Sequence, residues 1–243
     1  MKGQSKIQRN QNMKYFFLFF LPILMLSCQN EGFYYQDEAR VRLEGPYEWA
    51  LGTDSLDYSF AFYPSSITET AMNMTLFVMG NITDYERSAK IEIVKGETSA
   101  SEDQYSLPTE IKVPANTYAI PFTIVLKRTS DLSTKNVRLR IRIVDTGDFH
   151  VGVVEHNGFT IKWNDMLSKP RNWDELNEFF GVFSLVKFRF IIDTLGVGEF
   201  NIDTMSWGQL NNYRIVMKNA LTAYNEAHTG NPLKDENGQL VSF

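Results

Sequence analysis

Between residues 40 and 164 the apolar positions recur mostly every second residue. Such alternation belongs to strands with one buried face. It predicts strands over 41–43, 58–62, 74–78, 89–95, 111–113, 118–126, 136–143 and 159–163. The cleanest is the 136–143 run. There Val137, Leu139, Ile141 and Ile143 share one face, and Arg138, Arg140 and Arg142 share the other. Pro121 interrupts the 118–126 run, and a proline is tolerated there only at an edge or a bulge. Seven or eight strands at this spacing, with turn residues between them, predict an antiparallel sandwich.

After Trp163 the period changes. Residues 168–172 form a breaker around Pro170, and Asn172 to Glu175 match a capping box ahead of Leu176, Phe179, Phe180 and Phe183 at helical spacing. Residues 182–192 are apolar nearly all round, so they suit a buried helix or a buried strand equally. Residues 206–226 predict a helix with Leu210, Tyr213, Val216, Met217, Ala220 and Tyr224 on one face. The end of the chain predicts a hairpin about Asn237-Gly238.

Composition narrows the classes. The 243 residues are 43% hydrophobic, enough for a real core and for one or two domains. With 22% charged and 14% aromatic residues the chain is not of the disordered type. One cysteine excludes an intramolecular disulfide framework and a four-cysteine zinc site. A formal charge of −5 gives no support to nucleic-acid binding.

The first 27 residues predict an export signal. Lys2, Lys6, Arg9 and Lys14 precede an apolar run over 15–26, and no acid intervenes. That run is shorter than the ~20 residues of a membrane span and suits a signal-peptide core. It ends in Leu24-Met-Leu-Ser-Cys28, which resembles a bacterial lipobox. The resemblance implies cleavage before Cys28, with diacylglycerol on its sulfur and a fatty acid on its amine. Acyl chains contribute about 0.8 kcal/mol per buried CH₂, so two or three of them anchor a domain durably. Gln29 replaces the aspartate of inner-membrane retention, and Glu31 is a weak hint of surface export. Loss of residues 1–27 removes four of the 24 basic residues and none of the 29 acidic ones, taking the net charge from −5 to −9. The expected organisation is a signal peptide over 1–27, a lipid-anchored linker over 28–39, a sandwich over 40–165 and a helical part over 166–243.

Two resemblances extend this reading. Asp84-Tyr-Glu-Arg87, Ile91-Glu-Ile-Val94, the stretch from Glu97 to Tyr105, and Ile111-Lys-Val-Pro-Ala115 resemble a Calx-beta-like, immunoglobulin-type sandwich. Asn116 stands where that pattern has glycine, and Gln104 separates Asp103 from Tyr105. With the lipobox, the Trp163-to-Trp173 block and the Phe180-Gly-Val-Phe-Ser-Leu-Val-Lys187 block, the chain over 28–243 resembles a Bacteroidetes lipoprotein family catalogued as domain of unknown function 4843. That family has no assigned activity. It commonly occurs beside starch-utilisation-type uptake receptors, which implies a surface accessory role.

No nucleophile elbow, metalloprotease helix, phosphate loop or C-x-x-C motif occurs. Asp145, Asp148, His150, Glu155 and His156 are the one dense titratable cluster, and their simpler reading is a solvated loop. His228 lies beyond a helix end, where a cation complements the dipole. Asp54, Asp57, Asp84 and Glu86, with Glu102 and Asp103, are weak calcium candidates lacking EF-hand spacing. Tyr34, Tyr35, Tyr47, Trp49, Tyr63 and Trp207 are the aromatics least explained by burial, and exposed rings suit sugar faces. Trp163 and Trp173 are candidates for ligand or partner contact, or for a plug joining the two parts. The stripe Arg138, Arg140 and Arg142 fits the solvent face of a strand, or a docking face.

The expectation is a lipid-anchored, non-catalytic outer-membrane accessory protein without further cofactor, contacting a receptor complex and a glycan or peptide ligand. The alternatives are a surface hydrolase and an adhesin-like structural component.

Overall fold

A computed structural model describes residues 38–46 and 52–243. Cys28, Tyr34, Tyr35, Tyr47 and Trp49 lie outside the described residues. The described chain is mainly β, with two curled sheets followed by three helices. The strands are β1 (Arg40–Glu44), β2 (Ser55–Ser59), β3 (Glu69–Met79), β4 (Arg87–Ile93) and β5 (Tyr105–Ser106). They continue with β6 (Glu110–Val113), β7 (Ala119–Lys127), β8 (Val137–Val144), β9 (His150–Val151) and β10 (Gly158–Asn164). One sheet has the order β5-β7-β3-β1-β9 and the other β2-β10-β8-β4-β6. Pairing is antiparallel except for β1 with β9 and β2 with β10. In both parallel pairs an early strand takes up a late one, so the two ends of the strand region are tied into the sheets.

The period-two pattern becomes one core. Met72, Met74, Leu76 and Val78 of β3 point inward, as do Ile120, Phe122, Ile124 and Leu126 of β7. Val137, Leu139, Ile141 and Ile143 of β8 face them from the other sheet. Pro121 is exposed opposite Thr75. β5 covers β7 only at Val125 and Leu126, so Pro121 removes no hydrogen bond from a covered edge. Asn116 adopts φ 57°, the left-handed region, and its N–H donates to Thr83 O at 2.8 Å. Asparagine tolerates that conformation best after glycine, which accounts for its place in the turn before β7.

The structure corrects two local expectations and decides a third. The strand predicted over 58–62 stops at Ser59. The Ser59 hydroxyl accepts the Ala61 N–H, and Phe60–Phe62 form a single 3-10 turn. Phe60 and Ala61 are buried while Phe62 faces out. The capping box at Asn172 does not form, because the Asn172 amide donates to Phe200 O at 2.6 Å. The stretch 182–192 resolves as helix from Leu185 onward.

The helices are α1 (Trp173–Phe180), α2 (Leu185–Leu195) and α3 (Trp207–Ala227). Ser184 and Ser206 cap α2 and α3, accepting from Lys187 N and Gln209 N. On α3 the buried residues are Leu210, Met217 and Leu221, and Val216 is largely exposed. Among the described residues no helix is long and apolar enough to cross a membrane. Near the end of the chain Gly238 takes φ 80° in a tight turn closed by Asp235 N to Gln239 O. A single bridge, Lys234 with Leu240, is all the pairing there.

The helices build a second core from Trp173, Leu176, Phe180, Phe188, Ile191 and Met217, among others. Trp173 and Trp163 therefore sit in different cores, and neither plugs the junction. The strand alternation turns Trp163 inward, and the first turn of α1 turns Trp173 onto Phe180, Phe183 and Phe188.

The Phe180-to-Lys187 block is the joint between α1 and α2. Gly181 has φ 73°. Lys187 is buried, and its Nζ donates to Phe180 O at 3.0 Å and Val182 O at 2.7 Å. Burial pushes the Lys187 ammonium below its ordinary value, with Asp235 opposing weakly. The unfolded chain therefore holds this proton more tightly than the folded one. The penalty is present at neutral pH and is relieved as pH rises through the lowered folded value toward 10.5. Relative to Lys187→Met, the wild type should gain stability over that alkaline window, measured by urea unfolding at stepped pH.

Candidate functional site

The segment between β2 and β3 is a strap that joins the two sheets and touches α2, and its main chain is clamped. Arg128 follows β7 and Arg189 lies on α2. Arg128 Nη1 donates to Pro64 O at 2.7 Å and Ile67 O at 3.2 Å. Arg189 Nη1 donates to Ala61 O at 3.2 Å and Tyr63 O at 3.0 Å. Both guanidiniums converge on Asp165, just past β10. Asp165 accepts from Arg128 Nε at 2.8 Å and Nη2 at 2.7 Å, and from Arg189 Nη2 at 3.0 Å. Asp193 of α2 then accepts from the N–H and hydroxyl of Ser65, at 2.6 and 3.0 Å. The backbone of 61–67 is thus fixed by charge-assisted bonds, the stronger kind.

Fixing this backbone fixes where two aromatic side chains leave it. Phe62 and Tyr63 remain 43% and 41% exposed. The Tyr63 ring lies nearly parallel to Tyr58, at 5.7 Å and 19°. Burial pushes the Tyr58 phenol above its ordinary value, and it interacts with Thr70 and Tyr63. Tyr63 lines an open cleft of about 710 Å³ with Asp57, Ser59, Phe62, Asn164 and Glu199. This lies within the roughly 300–1,000 Å³ range of small-molecule sites. Beyond Gly198 a second cleft of about 560 Å³ shares Phe62 and Glu199 and carries Lys169 and Arg171. Gly198 packs on the Phe62 backbone so closely that an added Cβ would lie 2.5 Å from Phe62 O. Only glycine permits that crossing.

The other sequence candidates fall elsewhere. Trp207 is 63% exposed at the start of α3, edge-on to Phe179, and lines neither cleft. Trp163 and Trp173 are buried and offer no surface to a ligand. Asp54 faces Arg140 at 3.7 Å and Asp57 faces Lys162 at 3.9 Å. Asp84 and Glu86 lie in the turn before β4, and two strands separate β4 from β2. Glu102 and Asp103 begin a 3-10 turn closed by Ser101 and Gln104. Among the described residues no three metal-ligating side chains gather.

The titratable loop builds turns. Asp145 accepts from Val151 N, Asp148 from Ser88 N, and His150 lies 3.6 Å from Asp145. Glu155 and His156 sit in a 3-10 turn. His228 stacks on Tyr224 and reaches its carbonyl at the end of α3. The arginine stripe is engaged: Arg138 with Glu97 O, Arg140 with Asp54 and Thr160, Arg142 with Glu92.

Sequence reading missed Arg128, Asp165, Arg189 and Glu199. Arg189 alone left a signal, as one of two charges, with Lys187, inside a mostly apolar run.

The class defined by this geometry is a two-sheet β protein with a helical C-terminal part and an open aromatic cleft. The chain belongs to the family described as "Domain of unknown function (DUF4843)", which matches residues 33–197. The match takes in α1 and α2 and stops short of α3. A comparison with curated proteins finds no match. Among solved structures the chain is similar to a Bacteroides ovatus protein described as a "putative carbohydrate binding protein". Identity is 10% and the TM-score 0.38, over 53% of this chain and 37% of that one. A second Bacteroides ovatus protein, of unknown function, gives 17% identity and TM-score 0.37, over 51% of this chain and 45% of that one. A two-domain Bacteroides fragilis protein of unknown function gives 9% identity and TM-score 0.37, over 52% and 45%. The chain thus spans less than half the length of these three.

Proposed function

We propose that this is a lipid-anchored accessory protein of the outer membrane that binds a ligand without catalysis, within a nutrient-acquisition system. The supporting observation is the cleft, where exposed rings stand on a backbone held by Arg128 and Arg189. A preorganised surface of this kind loses little entropy on binding. The two sheets serve as a Calx-beta-like, immunoglobulin-type sandwich over 40–165, and the helical part over 166–243 completes the binding face. Residues 1–27 act as the signal peptide, and Cys28 carries the diacylglycerol and fatty acid beyond a linker reaching residue 39. The supporting sequence feature is the lipobox, which holds the chain's one cysteine.

Fractionation tests the anchor and co-purification tests the role. Wild type is expected in the outer-membrane fraction, together with a receptor after detergent extraction. Cys28→Ala is expected to leave the membrane. Retention of Cys28→Ala in the membrane overturns the anchor, and recovery of wild type as a lone species overturns the accessory role.

A further inference from the structure

We propose that the ligand of the Tyr63 cleft is an uncharged saccharide chain. Its sugar faces stack on Tyr63 and Phe62, and its hydroxyls donate to the carboxylates of Asp57 and Glu199. The proposal rests on the reading of this cleft as the binding face.

Three observations carry it. First, the exposed surface is aromatic and fixed. Tyr63 is backed by Tyr58, and the carbonyls of 61, 63, 64 and 67 are held by Arg128 and Arg189. A ring that need not be ordered on binding is a good stacking platform. Second, the polar lining of this cleft is one-sided in charge. It contains Asp57 and Glu199 and no lysine, arginine or histidine. Glu199 is exposed and makes no ion pair among the described residues. Ionised carboxylates only accept hydrogen bonds, so they pair with hydroxyl donors and repel uronates, sulfates and phosphates. Arg128 and Arg189 do not line this cleft, and their guanidiniums are satisfied by Asp165 and the carbonyls. Third, the cleft is open and adjoins a second one past Gly198, with Phe62 and Glu199 common to both. That leaves room for a chain to run on toward Lys169 and Arg171, of which Lys169 is paired with Asp174 at 2.8 Å.

The same chemistry could attract a cationic peptide. The rings argue for sugar. Recognition of a cation by rings places their faces around one point, whereas Tyr63 and Tyr58 are layered 5.7 Å apart and nearly parallel.

Calorimetry on the full chain in detergent decides the matter. The probes are cellohexaose, maltohexaose, xylohexaose and mannohexaose, with hexagalacturonate and hexalysine beside them, each titrated to millimolar concentration. At least one neutral hexasaccharide is expected to bind, and the two charged probes are expected not to. Tyr63→Ala should weaken that binding about tenfold, as loss of an aromatic anchor does, and Tyr63→Phe should restore it. Glu199→Gln and Asp57→Asn alter exposed side chains that carry no fold. They should weaken the neutral sugar and relax the exclusion of hexagalacturonate, which keeps the test readable if Tyr63→Ala does not fold. No binding by any neutral probe, equal or stronger binding of hexagalacturonate or hexalysine, or affinity unchanged in Tyr63→Ala overturns the proposal. None of these outcomes depends on membrane fractionation or receptor co-purification. The saccharide can therefore fail while the anchor stands, and the reverse.

Discussion

Asp165→Ala should lower the stability of the protein by about 3 kcal/mol, read as a shift of the urea midpoint at neutral pH. Among the described residues Asp165 is the one carboxylate on which two guanidiniums converge. Its side chain is 16% exposed, those of Arg128 and Arg189 are 8% and 22% exposed. Truncation leaves two like charges close together with little water to screen them. Breaking a buried pair by removing one partner costs about 3–5 kcal/mol, and the partial exposure here places the expectation at the lower end. The alternatives differ in size. If the trio were an ordinary surface ion pair the loss would be within about 1 kcal/mol and would shrink further in salt. Asp165→Asn separates charge from shape, because the amide keeps the volume but turns one acceptor into a donor facing a guanidinium. It should lie closer to alanine than to wild type. A midpoint unchanged in Asp165→Ala would mean that the clamp does not join strap and helix in solution.

Trp173→Ala should cost about 3–5 kcal/mol, the range for emptying a large aromatic site in a core. The ring touches Phe180, Phe183 and Phe188, at centroid distances of 6.1, 5.0 and 5.4 Å. Three large rings cannot collapse onto one vacated position without leaving their own rotamers, so most of the cavity persists. Trp173 also donates from Nε1 to Gly181 O at 3.1 Å. Trp173→Phe therefore loses volume and orphans a carbonyl at the α1–α2 joint. Trp163 supplies the control. It is equally buried, but its Nε1 has no hydrogen-bond partner among the described residues. Trp163→Phe should be milder than Trp173→Phe by about 1 kcal/mol, the net worth of one hydrogen bond. Equal costs would show that volume alone decides both positions.

Alternation made the long strands readable, because one face of each is buried for its whole length, as in β3, β7 and β8. It could not reveal β5 or β9. Each has two residues and exists only because β7 or β1 offers it an edge. The run through Phe62 misled because alternation is silent about a serine hydroxyl that captures the next turn. Residues 182–192 stayed ambiguous because a segment buried on all sides has no period to show. The site was barely legible. Tyr63 stood out as an aromatic without a burial role, and Asp57 only as a weak calcium candidate. The clamp joins residues 37 and 24 positions apart, and no local pattern marks three charges that meet only after folding. The two interior tryptophans were overrated as contact residues, because ring size predicts energy and not exposure.

The clamp holds carbonyl oxygens, which every amino acid possesses. Arg128 and Arg189 take the main chain at 61, 63, 64 and 67 through its carbonyl oxygens. The identity of those two side chains is therefore decoupled from the frame that presents them. Relatives that keep the two arginines and the aspartate can exchange residues 62 and 63 at small cost in stability. Preference can then drift from one ligand to another while the scaffold stays still.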